Sequence, residues 1–370
     1  MKGRAFIGWV FLVAVLGMAI PARADTHAPW PADWNNWSDP NLMVTVGNPG
    51  NAADRRYDAN GFGAVAYEYR IGKYEVTAGQ YTEFLNKVAK TDTYGLYNTN
   101  MDWDTFPGLW GCNIKRTGLW GSYTYSVDPN RANRAVNYVS WGDAARFANW
   151  LTNGHPTGAQ DANTTEDGSY YLNGALTNAE LLAVTVPDAS QRAIWSSGTK
   201  QYFLLPSEDE WYKAAYYEPN KPGGAGYWDY PTGSDNVPGQ DMSEVTNPGN
   251  NVNYYNNGYL IGSPYYRTEV GEFELSESPY GTFDQGGNLW EWNEAIVDTG
   301  YRGSHGGSYG SDYPLLLAAA TRGKGFPADE VENVGFRVAE VPEPGTLSLL
   351  ALGGLAALRR GSGREPRRRK

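Results

Sequence analysis

The chain has 370 residues, with 14 Trp, 27 Tyr and 45 Gly but only 19% charged residues, 3 His and 1 Cys. So few histidines and cysteines exclude a clustered zinc or redox-metal centre, and a lone Cys112 excludes an internal disulfide. Ten of the 30 basic residues lie in the two ends but only 2 of the 41 acidic ones, so Asp25–Glu340 carries about −19, a balance that disfavours nucleic acid and anionic membranes and suits soluble display or cation binding.

The N-terminus begins with Lys2 and Arg4, runs apolar from Ala5 to Ile20 and offers Ala22-Arg23-Ala24 before Asp25. This predicts a secretory signal peptide over residues 1–24. A spanning anchor is the competing reading, opposed by the shortness of the run. Residues 25–60 are a lead-in rich in Pro, Asn, Gly and Asp, with one short strand expected in LMVTV (42–46).

From Gly61 a strand-then-capped-helix grammar recurs. Alternation through Ala64–Val76 predicts a strand, and Thr77 with Gln80 forms a capping box for a helix presenting Tyr81, Phe84, Leu85 and Val88 on one face. Ser140 caps a second helix that buries Trp141, Ala144, Phe147, Ala148 and Leu151, with Gly154 as its stop. Ser207 and Glu210 box a third, with Trp211, Ala214 and Ala215 inward. The stretches 91–133, 152–200 and 216–280 are dense in Gly, Asn, Tyr and Pro; their aromatics predict packed loops in one compact domain.

Two stretches could carry chemistry. GSHGGSYGSDYPLL (303–316) contains G-x-S-x-G at Gly306, Ser308 and Gly310. A hydrolase elbow needs a helix after the serine and a later histidine, whereas Pro314 follows and His27, His155 and His305 all precede. Glycines that let a backbone turn sharply explain the loop equally well. FDQGGNLWEWNEA places Asp284 and Glu291 around a Gly-Gly turn that could wrap oxygens about calcium; a turn cap and a hydrogen-bonded carboxylate are the plainer reading.

The ordered set YRIGKYEVT (69–77), VNYVSWGDAARFANWL (136–151), LLPSEDEWYKAA (204–215), GTFDQGGNLWEWNEA (281–295), HGGSYG (305–310) and NVGFRVA (333–339) resembles the formylglycine-generating enzyme family, the sulfatase-modifying factor domains, over residues 61–340. The resemblance implies a single α+β domain related to the C-type lectin fold, loop-rich with little regular secondary structure. Active members hold copper on two cysteines and oxidise a sulfatase cysteine to formylglycine. Here the matching positions are Ser311 and Leu316, which cannot replace thiolates for copper, so copper is not expected. Cys112 lies far upstream and is expected as a buried or free thiol. Structural calcium is implied, through the side chains of Asp284 and Glu291 and the carbonyls of Gly287 and Leu289. A second family site would fall near Asn253 and Tyr254, but its downstream aspartate is not evident in GYLIGSPYYRTEV. Ser308, Tyr309 and Ser311, with Trp290, are the candidate ligand-pocket residues.

The C-terminus reads Val341-Pro342-Glu343-Pro344, a short apolar piece Gly345–Leu358 and a basic cluster Arg359–Lys370. This resembles the PEP-CTERM sorting signal (341–370), which implies an exosortase partner and the envelope, surface or matrix of a Gram-negative-type bacterium, with membrane contact transient or through the tail. The expected function is a non-catalytic binding module for a glycan or peptide. The alternatives are a formylglycine-generating oxidase, another chemistry in the same pocket, or a purely structural envelope component.

Overall fold

The computed structural model describes residues 42–102, 110–196, 200–243 and 249–341; the expected signal peptide, residues 25–41 of the lead-in and the tail beyond Val341 lie outside them. Two four-stranded sheets organise the domain. The first runs Met43–Val46, Tyr69–Gly72, Ala339–Val341, Tyr202–Leu204, with every neighbour antiparallel. The second runs Gly323–Gly325, Tyr301–His305, Trp290–Val297, Val334–Gly335, its last pair parallel. The last described strand therefore lies inside the first sheet, beside the strand paired to Met43–Val46.

The three expected helices form at Ala78–Val88, Trp141–Thr152 and Glu208–Tyr216, each opened by a complete capping box. In each box the cap hydroxyl accepts an orphan N–H and the third residue's side chain reaches back. The strand expected over Ala64–Val76 is shorter. Val65, Tyr67, Tyr69 and Ile71 are all buried, so the alternation is real, yet only Tyr69–Gly72 pairs. The Val65 carbonyl instead accepts the Gly50 amide at 2.7 Å. Burial pattern and ladder formation are separate things, and the sequence reports only the first.

The long loops are ordered by side chains bonding to backbone, as Asn and Asp do in turns. Asn149 donates to the carbonyls of Thr165 and Tyr170 at 2.8 and 2.9 Å, and Asn137 to those of Trp110 and Glu332, both at 2.6 Å. Asn48, Asn113, Asn173, Asn250, Asn257 and Asn288 adopt positive φ, a conformation this short polar side chain tolerates. Small elements also appear inside them: the hairpin Ile114–Thr117/Thr124–Val127 and the helices Asn178–Ala183 and Ala189–Trp195.

The helix Trp141–Thr152 is buried on every side and fastens the core to the second sheet. Trp141 Nε1 donates to the Asn293 carbonyl at 3.1 Å, and Trp292 Nε1 to that of Val139 at 3.0 Å. Phe84, Phe147, Trp150 and Phe336 interlock around it with ring centroids 5.3–5.7 Å apart.

Candidate functional site

The loop 303–316 is a packed turn. A Cβ on Gly306 would lie 2.7 Å from the Gln285 carbonyl oxygen, and Gly307 sits at φ +75° against Leu317. The Ser308 amide donates to Ser311 Oγ at 2.9 Å, the Ser311 amide to the Ser308 carbonyl at 2.9 Å, and Ser308 Oγ accepts the Gly310 amide at 3.3 Å. Ser308, Tyr309 and Ser311 are all buried. His305 does not reach Ser308: its Nε2 meets Glu208 Oε1 at 2.9 Å and its ring stacks on Trp211. The serines thus close the turn, and among the described residues no base is hydrogen-bonded to either hydroxyl. The chain has one cysteine, hence no cysteine pair; Cys112 is buried, and burial pushes its thiol up.

Glu291, fully buried, is met by nitrogen donors. Arg337 Nε lies 2.5 Å from Oε2 and Nη2 2.6 Å from Oε1, while Trp211 Nε1 donates to Oε2 at 2.7 Å. Arg337 also donates to the carbonyls of Gly72 and Phe283, at 2.9 and 2.8 Å. Glu75 stands in the same cluster, accepting from the Asn288 amide group and from the Leu289 N–H; burial, with Asp284 and Glu291 nearby, holds its carboxyl well above the usual range. Asp284 accepts the Gly271 amide at 2.6 Å, and burial raises its carboxyl to about 7.

These residues do not offer calcium its shell of six to eight oxygens. The guanidinium already answers the charge of Glu291. The space beside Asp284 is about 10 Å³, bordered by Asn251, Ser276 and Gln285 and not by Glu291. Among the described residues no group of three or more His, Cys, Asp or Glu is placed to hold a metal ion. Gly287 is needed for another reason: a Cβ there would lie 2.2 Å from the Asn253 carbonyl oxygen. Asn253 itself is engaged by the Tyr266 carbonyl and Asn288, and Tyr254 by the Pro238 carbonyl.

The opposite face of the same strand opens onto a cavity of about 380 Å³. Trp290 and Trp292 form one wall, with Ser304 between them and the strand Gly323–Gly325. That strand can lie on the indoles only as glycine: a Cβ on Gly323 would come 2.8 Å from the Trp290 ring, and one on Gly325 2.6 Å from that of Trp292. Asp329, Val331 and Asn333 form the facing wall, and Lys324 the rim. Lys324 pairs with Asp298 and lies over the Tyr301 ring at 4.9 Å. Of the four candidate pocket residues, Trp290 lines this cavity; Ser308, Tyr309 and Ser311 do not. The Gly323-Lys324-Gly325 alternation facing a Trp-x-Trp strand is the signal that could have indicated it.

The sulfatase-modifying factor enzyme 1-like domain model matches residues 43–341, and the chain belongs to that family. With its loop-rich α+β architecture, the fold is that of a formylglycine-generating-enzyme-like domain. Residues 340–363 match the PEP-CTERM protein-sorting motif, which marks a cell-surface protein processed by an exosortase. The matched region begins at residue 43, with the first strand.

Similar solved structures include the following three. Treponema denticola variable protein 1 shares 20% identity over 81% of this chain and 95% of its own, with a TM-score of 0.46. CarF shares 19% over 80% and 97%, at 0.42. PvdO from Pseudomonas aeruginosa shares 18% over 80% and 93%, also at 0.42. No curated protein matches the chain.

Proposed function

We propose that this protein is a non-catalytic binding domain displayed at the cell surface, and that it takes a saccharide in the Trp290 cavity. The cavity is the observation that carries the reading. Its volume, about 380 Å³, suits one or two sugar rings. The partly exposed indole of Trp290 matches the apolar face of a sugar, while Asp329, Asn333, Ser304 and Lys324 supply donors and acceptors for hydroxyls. The grip uses no metal. An oxidase reading lacks its sulfur ligands, since Ser311 and Leu316 occupy the positions concerned.

The test is a glycan array probed with the exported chain, followed by Trp290→Ala. Stacking on one ring contributes roughly 0.5–1.5 kcal/mol beyond area burial, so affinity should fall at least several-fold while the folded spectrum is retained. Binding of peptides in place of glycans would replace the ligand class. Aldehyde formation on a cysteine-containing sulfatase peptide under copper(I) and oxygen would overturn the non-catalytic reading.

A further inference from the structure

The last described strand, Ala339–Val341, runs between two others in the first sheet and ends there. Ala339 pairs with Ile71 on one side and Leu204 on the other, and Val341 pairs with Tyr202. Glu340 pins the end: Arg70 Nη1 lies 2.7 Å from Oε2, and Gln201 Nε2 donates to Oε1 at 3.0 Å. Val341 is fully buried, and the tail follows at the next residue, so its point of departure is fixed by the core. The apolar piece of the tail starts at Gly345. The four residues that lead to it span at most about 14 Å.

The strand leaves the sheet beside Tyr202, and the surface there is aromatic. The helix Ala189–Trp195 ends with Trp195 stacked on Tyr202, ring centroids 3.9 Å apart and planes 6° from parallel. Both residues are half-buried, and Ile194 beside them is 62% exposed. Lys200 is exposed, with its ammonium 5.0 Å from the centre of the Tyr202 ring. A strand from a second copy could not extend the sheet at this edge. The outward N–H and C=O of Phe203 are both held by the Thr152 hydroxyl, at 2.9 and 3.1 Å. Glu340, the acidic residue next to Val341, is already answered by Arg70 and Gln201. The charge this patch offers is therefore the Lys200 ammonium, in an exported region that carries about −19.

Trp, Tyr and Lys are the residues that settle at the level of lipid headgroups, with an apolar body inward and a polar tip in water. The headgroups form a layer about 5–8 Å thick on each side of the hydrocarbon. With the apolar piece in the hydrocarbon, the edge at Val341 can stand clear of that layer by no more than about 9 Å. As a helix, Gly345–Leu358 would cover about 21 Å of a core ~30 Å thick. A short segment is accommodated by drawing its flanks into the interface. The far flank is the basic cluster Arg359–Lys370, and the near flank is the folded edge itself. We propose that this edge, with Ile194, Trp195, Lys200 and Tyr202, docks on the headgroup layer of the bilayer that takes the tail, before the tail is processed. The patch lies on the first sheet and stands apart from the saccharide reading of the cavity, which belongs to the second.

The test places a polarity-sensitive fluorophore on the exported chain, tail included, and adds phosphatidylcholine vesicles. Cys112 is buried, so a cysteine introduced on the surface takes the label alone. Ile194→Cys reports the patch. Leu119→Cys reports an apolar site on another element, 80% exposed between the strands Ile114–Thr117 and Thr124–Val127. On vesicle binding the label at 194 should shift to the blue and lose emission to lipids that carry a nitroxide at the headgroup, whereas the label at 119 should do neither. Should Ile194→Cys fail to fold, Lys200→Cys reports the same edge. Vesicle-bound protein with an unshifted label at 194 overturns the proposal, as do equal responses at both sites or a chain that does not bind the vesicles. A blue shift without vesicles overturns it too. Independent of protein concentration, that shift gives the patch to the chain's own tail; dependent on it, to a second copy.

Discussion

Trp290 and Glu291 are adjacent in one strand and serve opposite ends. Side chains alternate across a sheet, so Trp290 faces the cavity while Glu291 faces the core, where Arg337 and Trp211 take up its oxygens. On the core face both oxygens of Glu291 are taken up by Arg337 and Trp211; the cavity face leaves part of the Trp290 indole uncovered. The difference shows that Glu291 follows structural demand, while glycine at 323 and 325 leaves room beside the indoles where the saccharide is proposed.

The harshest way to break this contrast is at Arg337. Replacing Arg337 by Met leaves Glu291 buried and unpaired, which costs about 3–5 kcal/mol. Urea denaturation should show that loss, or no folded protein at all. The double variant Glu291→Gln with Arg337→Met should recover much of it, because glutamine still accepts from Trp211 and carries no charge. If Arg337→Met alone were as stable as the wild type, the structural role given to Glu291 would be wrong.

On the cavity face the informative change is Gly325→Ala. Its Cβ would lie 2.6 Å from Trp292 Cη2, and that indole is tied to the Val139 carbonyl, so it cannot swing aside. Overpacking of this kind costs roughly 1–3 kcal/mol and narrows the cavity. Glycan binding should weaken with it, whereas Lys324→Ala on the exposed rim should change stability by less than about 0.5 kcal/mol. Equal effects from both would remove the special role assigned to the glycines.

How much of this was readable beforehand differs by physical cause. Capping boxes at Thr77, Ser140 and Ser207 are local, and each formed where its residues stand. The family motifs fixed the fold class for the same reason. What the chain alone could not reveal depends on distant partners. Arg337 lies 46 positions from Glu291, and nothing in either neighbourhood announces the pair. The cavity likewise needs Trp290, Gly323 and Asp329 from three separate segments. Ser308, Tyr309 and Ser311 are candidates through the loop's resemblance to the family's active-site element, and the structure buries all three in a turn.

The mildest test concerns calcium, which the resemblance implied for Asp284, Gly287, Leu289 and Glu291. With Arg337 beside Glu291, the melting temperature should be the same in calcium and in chelator. A site with calcium at a hundred times its dissociation constant would add about 2.7 kcal/mol, a rise of about 4 °C in a domain of this size. The pH dependence of any such rise would locate it. Burial keeps Asp284 partly protonated near neutrality, with its carboxyl at about 7, and a cation needs the carboxylate. A calcium effect centred on Asp284 must therefore be weak below that pH and grow above it. A rise that grows with pH in this way would place the cation in the small space beside Asp284.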